Sequence, residues 1–340
     1  MERILIVRLG AMGDIIHALP AAADLRDARP QAEIDWVVEN RWKELIAPHV
    51  ANVITVDTKL WRRRWWSPTT WSVIAGRRRD LRERQYNIAI DFQGAIKSAV
   101  FARWAKTRVV GNAQPREGLA KRFYDVKVKT VAAHVIEQAI ELAWRASDVE
   151  EPLRQFDIAL LKHSAPELLP QGELTEKVAA ITSSRFAILS PAAGWKAKVW
   201  PPERFGLLAK ELAKDGIRSV VNIGPGAYEA KLADVVEQAS EGAAQRVECT
   251  IPELIALTRR AALFVGGDTG PMHLANALGI PVVAIFGPTD PARNGPYYKP
   301  SVTLRSPNSR TSYSHSLESD AGIGEITVEQ VLDSARNLLK

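Results

Sequence analysis

A glycine-rich loop between an apolar run and a helical pattern sets the strongest constraint on how this chain folds. Its residues are Gly266-Gly267-Asp268-Thr269-Gly270-Pro271-Met272-His273. The run Ala261–Val265 before it predicts a buried strand, and Met272–Leu278 after it predicts a helix with Pro271 in its first turn. Free N–H groups and the helix dipole attract anions at such a junction, and a diphosphate is the usual ligand. The alternative is an ordinary β–α loop in which Asp268 or Thr269 only caps the helix.

A second loop of the same kind follows the next predicted strand. Val282–Phe286 is an apolar run that leads into Phe286-Gly287-Pro288-Thr289-Asp290-Pro291. In a parallel sheet both loops open at the same edge, which is where ligands bind. The pair of loops therefore favours a ligand site over two unrelated turns.

Strand and helix patterns alternate along both halves of the 340 residues. The alternation predicts an α/β protein of two doubly wound, Rossmann-like parallel-sheet domains with a cleft between them. We expect the domains at 1–165 and 173–325, the linker at Lys162–Gly172, and a last helix in 326–340 that packs back on the N-terminal domain. The predicted strands are 3–7, 34–38, 53–56, 87–91, 108–110, 156–160, 186–190, 217–223, 262–266 and 281–286. The predicted helices are 15–27, 40–47, 69–84, 95–105, 132–146, 203–214, 227–240, 252–259, 271–278 and 327–339.

Charge is distributed unevenly along the chain. Residues 1–150 carry 25 basic and 18 acidic side chains, whereas residues 151–340 carry 20 and 21. Residues 59–84 hold nine of the basic side chains, interleaved with four tryptophans: Trp61, Trp65, Trp66 and Trp71. This mixture suits a polyanion with apolar parts or an anionic membrane surface. Nucleic acid is an alternative ligand, and a solvated helix face is the alternative for Arg77–Arg84.

Targeting signals and cysteine pairs are not found in the sequence. No apolar run approaches the length of a transmembrane helix, and the N-terminus leads directly into the strand-like run Ile4–Val7. The single cysteine, Cys249, excludes an intramolecular disulfide. These features predict a cytoplasmic protein.

The two glycine loops resemble the donor site of the family 9 glycosyltransferases, the ADP-heptose:lipopolysaccharide heptosyltransferases. The family segment D-[TS]-G-x-x-H-x-x-A-A corresponds to Asp268–Ala277, and F/Y-G-x-T-[DS]-P corresponds to Phe286–Pro291. The opening of the family, strand–loop–Gly-Asp–helix, corresponds to Ile4–Pro20. The resemblance covers essentially the whole chain and implies the GT-B architecture.

Asp14 is the candidate general base, which must take the proton of the acceptor hydroxyl. Gly10 and Gly13 allow a tight turn between the first strand and this aspartate. The resemblance implies the catalytic role, since the proposed base of the family occupies this Gly-Asp position. The local sequence alone also fits an N-cap of helix 15–27. Gly13 and His17 are assigned to the acceptor site, with a packed core histidine as the alternative for His17.

The leaving diphosphate of the donor needs positive charge. The sequence has no Asp-x-Asp pair and no metal-ligand cluster, so we expect no metal and no cofactor, with ADP-heptose as a substrate. Lys198-Val199-Trp200-Pro201 resembles the K-x-W-P element of the family and makes Lys198 a catalytic and donor-binding candidate. A surface lysine is the alternative. The full set of donor-binding candidates is Ser190, Lys198, Glu229, Asp268, Thr269, Gly270, Pro271, His273 and Thr289.

The resemblance also implies an acceptor site in the basic half. Asp91–Ser98 resembles the D-x-Q-G-x-x-K-S element of the family and makes Lys97 a candidate, and Pro115–Gly118 contributes Arg116. Three further candidates, Arg62, Arg63 and Arg64, match the basic stretch that faces the phosphorylated lipid A core in the family. The implied partners are ADP-heptose, Kdo2-lipid A and the cytoplasmic face of the inner membrane, where the protein is peripheral, with no nucleic acid.

Asp35–Glu39 and the tryptophan–arginine stretch from Trp61 resemble the heptosyltransferase I branch more than the II branch. The implied function is inverting transfer of heptose from ADP-L-glycero-D-manno-heptose to a Kdo residue of Kdo2-lipid A in lipopolysaccharide inner-core biosynthesis. A heptosyltransferase II or another family 9 transferase is one alternative. A GT-B sugar-nucleotide epimerase is a second, although it lacks an extended basic acceptor face. A nucleic-acid-binding protein is a third, and it leaves both glycine loops unexplained.

Overall fold

The computed structural model describes residues 1–47, 50–147, 169–312 and 320–340. The chain forms two compact units, Met1–Leu169 and Pro170–Lys340. The division between them falls within the predicted linker, of which residues 162–168 lie outside the described residues, as does the predicted strand 156–160.

The first unit is built on a six-stranded, wholly parallel sheet in the order β3-β2-β1-β4-β5-β6. The central strands are nearly continuous apolar runs because helices cover both faces of a parallel sheet. The strands are β1 (Arg3–Val7), β2 (Glu33–Glu39), β3 (Asn52–Val56), β4 (Ile88–Asp91), β5 (Arg108–Asn112) and β6 (Val126–Val128). The helices are α1 (Met12–Ala28), α2 (Lys43–Ile46), α3 (Thr58–Arg63), α4 (Pro68–Glu83), α5 (Ile96–Trp104) and α6 (Val135–Ala146).

The second unit repeats this architecture with the strand order β12-β11-β10-β7-β8-β9, again all parallel. Its strands are β7 (Phe186–Ser190), β8 (Arg218–Ile223), β9 (Ala244–Glu248), β10 (Leu263–Gly267), β11 (Val282–Phe286) and β12 (Ser301–Arg305). Its helices are α7 (Glu176–Ile181), α8 (Pro202–Lys214), α9 (Ala227–Ser240), α10 (Ile251–Thr258), α11 (Gly270–Ala277), α12 (Pro291–Asn294) and α13 (Val328–Leu339).

Each sheet has the doubly wound order in which the first and fourth strands of the unit are central neighbours. The chain leaves these two strands in opposite directions along the sheet, which opens a crevice at their carboxyl ends. The crevice lies after β1 and β4 in the first unit and after β7 and β10 in the second. These two places are therefore where functional side chains are expected.

The sequence did not predict three strands, β6, β9 and β12. The outermost strands β6, β9 and β12 are partly exposed and lack the apolar runs of the central strands. An edge strand is covered on fewer sides, so its residues need not be apolar. The short helices α3, α7 and α12 were also not predicted, and four to six residues give too little periodicity to detect.

The last helix belongs to the second unit. The buried side chains of α13, Val331, Leu332 and Ala335, join the apolar cluster formed by α8 and the neighbouring strands. Thr327 caps the helix by accepting the N–H of Gln330. This packing corrects the expectation that residues 326–340 return to the N-terminal domain.

Gly206 determines how closely α8 and α9 approach. A Cβ at Gly206 would lie 2.5 Å from the Cβ of Ala239 and 2.6 Å from the carbonyl oxygen of Val236. We expect Gly206→Ala to lower the free energy of unfolding by about 1–3 kcal/mol, because the helices must move apart. Gly76→Ala is the matched control: that position on α4 has open space around it, so alanine should raise stability by about 0.5–1 kcal/mol. Urea unfolding of both variants tests this, and equal effects would contradict it.

Candidate active site

In the second unit, three ionisable side chains meet at the carboxyl ends of β7 and β10. The Nζ of Lys198 lies 2.6 Å from Oδ2 of Asp268, and Nε2 of His273 lies 3.1 Å from Oδ1 of the same carboxylate. Lys198 is also stacked 4.5 Å from the centre of the Trp195 ring. The structure thus brings together three residues that the sequence assigned separately to the donor site.

The glycines of this loop allow the approach. A Cβ at Gly267 would lie 3.1 Å from the carbonyl oxygen of Lys198, so the turn that carries this lysine packs against bare backbone at the end of β10. Gly287, after β11, receives the carbonyl oxygen of Ala197 in the same way, at 3.0 Å from its would-be Cβ. The turn that carries Ala197 and Lys198 therefore packs against both glycine loops. This is possible because both loops lie at the carboxyl end of the same sheet.

Burial and charge compete at Asp268, whose side chain is only 6% exposed. Burial alone would raise the pKa of this carboxyl. The hydrogen bond and charge of His273, together with those of Lys198, outweigh burial and hold the pKa of Asp268 well below its usual range. Asp268 is therefore a fixed negative charge that orients a lysine and a histidine.

Helix α11 begins two residues after Asp268, at Gly270. Thr269 occupies the N-cap position, but its side chain makes no capping hydrogen bond; its hydroxyl donates instead to the carbonyl of Gly267. Gly270 and Pro271 form the first two positions of the helix. The first-turn N–H groups of a helix have no intrahelical partner and bind anions well. Thr269 is thus the N-cap by position but makes no side-chain capping hydrogen bond, and the carboxylate of Asp268 pairs with Lys198 and His273 instead.

Three other donor candidates lie around the same edge. Ser190 is buried at the end of β7, where it is paired in register with Gly266. Thr289 is buried, and its hydroxyl has no hydrogen-bond partner among the described residues. Glu229, in the first turn of α9, accepts the N–H of Gly224 at the end of β8. That contact fixes one carboxylate oxygen of Glu229 and makes this glutamate a loop anchor as well as a binding candidate.

In the first unit, Asp14 lies near the end of β1 with 38% of its side chain exposed. Helix α1 begins at Met12, so Asp14 is the third residue of the helix and Ala11 is the N-cap. This corrects the predicted start of the helix at residue 15 and rules out the alternative in which Asp14 is its N-cap. Oδ2 of Asp14 accepts the N–H of Ala11 at 3.0 Å, and Oδ1 lies 2.8 Å from Nη2 of Arg8. The sequence did not identify Arg8, because a lone arginine after a strand has no distinguishing pattern.

The other two acceptor candidates near Asp14 are buried residues of α1. Gly13 is buried in the first turn of α1. His17 is buried and its ring packs edge-on against that of His134, with the ring centres 5.9 Å apart. This contact agrees with the alternative assignment of His17 as a packed core histidine.

The loop after β4 anchors the Arg116 loop. Gly94 has φ +67°, and its would-be Cβ lies 3.0 Å from the backbone nitrogen of Arg116. The N–H of Glu117 bonds to the carbonyl of Gly94, and the carboxylate of Glu117 accepts the N–H of Ile96. The Arg116 side chain itself is exposed. Lys97, in contrast, is engaged: its Nζ donates to the Thr58 hydroxyl at 2.7 Å and lies 3.5 Å from Glu39.

The predicted basic cluster is on the surface of α3 and of the turn that follows it. Arg62, Arg63 and Arg64 are exposed. The four tryptophans of this segment have different environments. Trp61 packs toward Phe101 in the core. The other three, Trp65, Trp66 and Trp71, are 58–67% exposed. A cleft of about 440 Å³ opens beside them, lined by Leu60, Trp61 and Val73 together with Arg64 and Arg77.

Comparison with known proteins identifies the family. A model of glycosyltransferase family 9 (heptosyltransferase) matches residues 75–320. Lipopolysaccharide heptosyltransferase 1 of Pseudomonas aeruginosa is 32% identical over 311 residues, which cover 89% of this chain and 84% of the relative. The chain belongs to glycosyltransferase family 9. Lipopolysaccharide heptosyltransferase 1 of Escherichia coli K12 is 31% identical over 320 residues, covering 90% of this chain and 94% of the relative.

Solved structures agree with the family 9 assignment. E. coli heptosyltransferase WaaC with ADP superposes with a TM-score of 0.79 at 28% identity, covering 99% of both chains. The same protein with ADP-2-deoxy-2-fluoro heptose gives 0.78 at 27% identity, over 98% of this chain and 99% of that chain. The predicted GT-B class of two parallel-sheet domains is thereby confirmed.

Neither a metal-ligand cluster nor a membrane-spanning helix is present in the residues that the structure describes. Within residues 1–47, 50–147, 169–312 and 320–340, no group of three or more His, Cys, Asp or Glu side chains is placed to hold a metal ion. Over the same residues, no helix has both the length and the apolar character needed to cross a bilayer.

The depressed pKa of Asp268 predicts how stability depends on pH. Its folded pKa lies below the value of about 3.9 in an unfolded chain, so its contribution is present above that value and is lost as pH falls toward the folded pKa. We expect Asp268→Asn to cost about 3 kcal/mol at pH 7, because it leaves Lys198, whose side chain is only 13% exposed, without its carboxylate. The cost should be smaller by roughly 1 kcal/mol near pH 3.

Urea unfolding of the wild type and Asp268→Asn across this pH range measures the difference. Asp215→Asn, which removes the exposed carboxylate paired with Arg336, serves as the control and should cost far less. A cost for Asp268→Asn that stays constant with pH would contradict the assignment.

Proposed function

We propose that this family 9 protein is an inverting heptosyltransferase that transfers heptose from ADP-L-glycero-D-manno-heptose to a Kdo residue of Kdo2-lipid A. The observation that carries the proposal is the cluster of Lys198, Asp268 and His273 beside the start of α11. A lysine next to free helix N–H groups is a site for a diphosphate. The relatives named above are heptosyltransferases, and WaaC has been solved with ADP and with an ADP-heptose analogue.

The donor is assigned to the second unit. Its diphosphate lies at the start of α11, near Thr269 and Gly270, with Lys198 as the counter-charge and the Thr289 hydroxyl as a further donor. Glu229 accepts from the ribose hydroxyls, which its free carboxylate oxygen can bind. Lys198 shifts from Asp268 toward the diphosphate as negative charge develops on the leaving ADP, so its charge matters most in the transition state.

Asp14 is the general base on the first unit. It takes the proton of an acceptor hydroxyl while that oxygen attacks the anomeric carbon from the face opposite ADP. The bond from the anomeric carbon to the β-phosphate oxygen breaks, and its electron pair leaves with ADP. The 38% exposure of Asp14 supports this role, since a general base must be within hydrogen-bond reach of its substrate. No step requires a metal ion or a cofactor.

The acceptor is bound by exposed basic side chains of the first unit. Arg62, Arg63, Arg64 and Arg116 are exposed, and none has a hydrogen-bonded acidic partner among the residues that the structure describes, so their guanidinium groups are suited to phosphate and carboxylate. Lys97 contributes only if the acceptor displaces the Thr58 hydroxyl. Sequence identity favours the heptosyltransferase I acceptor: the E. coli K12 relatives are 31% identical for heptosyltransferase 1 and 25% for heptosyltransferase 2.

The exposed tryptophans support peripheral association with the cytoplasmic face of the inner membrane. Trp65, Trp66 and Trp71 adjoin the arginine cluster on α3. Tryptophan is favoured at the headgroup level of a bilayer, and each nearby basic residue adds attraction to anionic lipids. This surface thus suits an acceptor that stays anchored in the membrane.

A product assay tests the function and the base together. We expect the wild type, incubated with ADP-heptose and a delipidated Kdo acceptor in EDTA, to give one product that is heavier by a single heptose residue. Asp14→Asn should lower kcat roughly 10²–10⁴-fold, as loss of a general base does. ADP binding by calorimetry should be unchanged. Transfer from GDP-heptose but not ADP-heptose, or complete loss in EDTA restored by a divalent ion, would refute the donor or the metal-free mechanism respectively.

The arginine cluster makes a separate prediction. Replacing Arg62, Arg63 and Arg64 by Gln should raise KM for the acceptor, leave KM for the donor alone, and flatten the salt dependence of acceptor use, because exposed charges are screened within about 10 Å at 0.1 M salt. The matched control replaces three exposed arginines of the neighbouring helix, Arg78, Arg79 and Arg82, by Gln. Equal effects of both triple variants would contradict a specific acceptor site at Arg62, Arg63 and Arg64, because they would show that only the total positive charge of the surface matters.

A further inference from the structure

Arg8 connects the candidate base to the loop of the neighbouring central strand. It directly follows β1, and its side chain is 15% exposed. One terminal nitrogen, Nη1, donates to the carbonyl of Phe92 after β4, and the other, Nη2, lies 2.8 Å from Oδ1 of Asp14 on α1. A single planar guanidinium thus fixes the distance between the loop after β4 and the carboxylate.

The arginine itself stands on a rigid support. Its backbone N–H bonds to the carbonyl of Val37, and its carbonyl accepts the indole N–H of Trp36 at 3.0 Å, so both backbone groups are held by β2. Asp14 is held on its other oxygen by the N–H of Ala11. Contacts to both oxygens fix the plane of the carboxylate, which a general base needs for proton transfer.

Stability does not explain an arginine at this position. The Nε atom of Arg8 is buried and has no hydrogen-bond partner among the described residues. A buried donor without a partner is unfavourable, and an ion pair whose carboxylate is 38% exposed adds little stability. A less demanding side chain would pack here at lower cost, which points to a role in the site.

We propose that Arg8 is the positioning residue of Asp14: it holds the carboxylate in the orientation that accepts the acceptor proton. The proposal rests on the assignment of Asp14 as the base. Arg8 acts through Asp14, so its loss should reduce turnover and leave substrate affinity unchanged.

A double-mutant cycle tests this. We expect Arg8→Gln to lower kcat roughly 10- to 100-fold with both KM values within about twofold of wild type, as misplacement of a catalytic group does. In the Asp14→Asn background the same substitution should change kcat less than about twofold, because the group it orients can no longer accept a proton. Arg8→Lys should recover part of kcat, since an ammonium can pair with Asp14 but cannot also bridge to Phe92 in the guanidinium geometry.

The control is Arg84→Gln, which removes another arginine of the same unit that lies 2.8 Å from a carboxylate, that of Asp35. It should lower stability without changing kcat per folded molecule. Equal fold losses from Arg8→Gln in both backgrounds, or a loss confined to KM, would overturn the positioning role while leaving Asp14 as the base. Near wild-type turnover in Asp14→Asn would instead overturn the base assignment, and the proposal for Arg8 with it.

Discussion

In a parallel sheet, the connection after each strand must run back to the starting end of the next strand. The carboxyl ends of all the strands therefore lie at the same end of the sheet. Both units obey this constraint with the same strand order. The consequence is that residues far apart in sequence meet beside the two central strands. In the second unit Lys198 follows β7 and Asp268 follows β10, and the two form an ion pair. In the first, Arg8 after β1 bonds to the loop after β4. In each unit a basic side chain bridges the crevice.

Backbone that lacks a Cβ lets other loops pack closely at the same end of each sheet. The lysine turn of the second unit rests on Gly267, and the Arg116 loop of the first rests on Gly94, at 3.1 and 3.0 Å from the would-be Cβ. Real Cβ contacts at these distances are rare, so an alanine would push each loop outward. The glycines next to the polar residues are therefore part of the site geometry: they set how far a charged side chain must reach.

The sequence predicted the strands that have apolar runs, namely all the central strands and the edge strand β3. The central strands are apolar runs and were found, whereas the half-exposed edge strand β9 carries the pattern of a loop. The start of α1 was misplaced because Ala11 is a poor N-cap and the aspartate three residues later has the better local signal. For the site, local motifs identified Lys198 and Asp268 but not their pairing across 70 residues. Arg8 was missed because its importance lies only in what it contacts.

The two aspartates that the motifs single out differ in what they can do. Both contact a basic side chain, at 2.8 Å for Asp14 and 2.6 Å for Asp268. Asp268 is 6% exposed, and its neighbours hold its pKa well below the usual range, so it neither meets an acceptor hydroxyl easily nor takes up a proton at neutral pH. Asp14 is 38% exposed and has one contact on each oxygen, which leaves a lone pair on each for a substrate. Burial thus separates an electrostatic anchor from the proposed base, although each carboxylate has one partner on each of its oxygens.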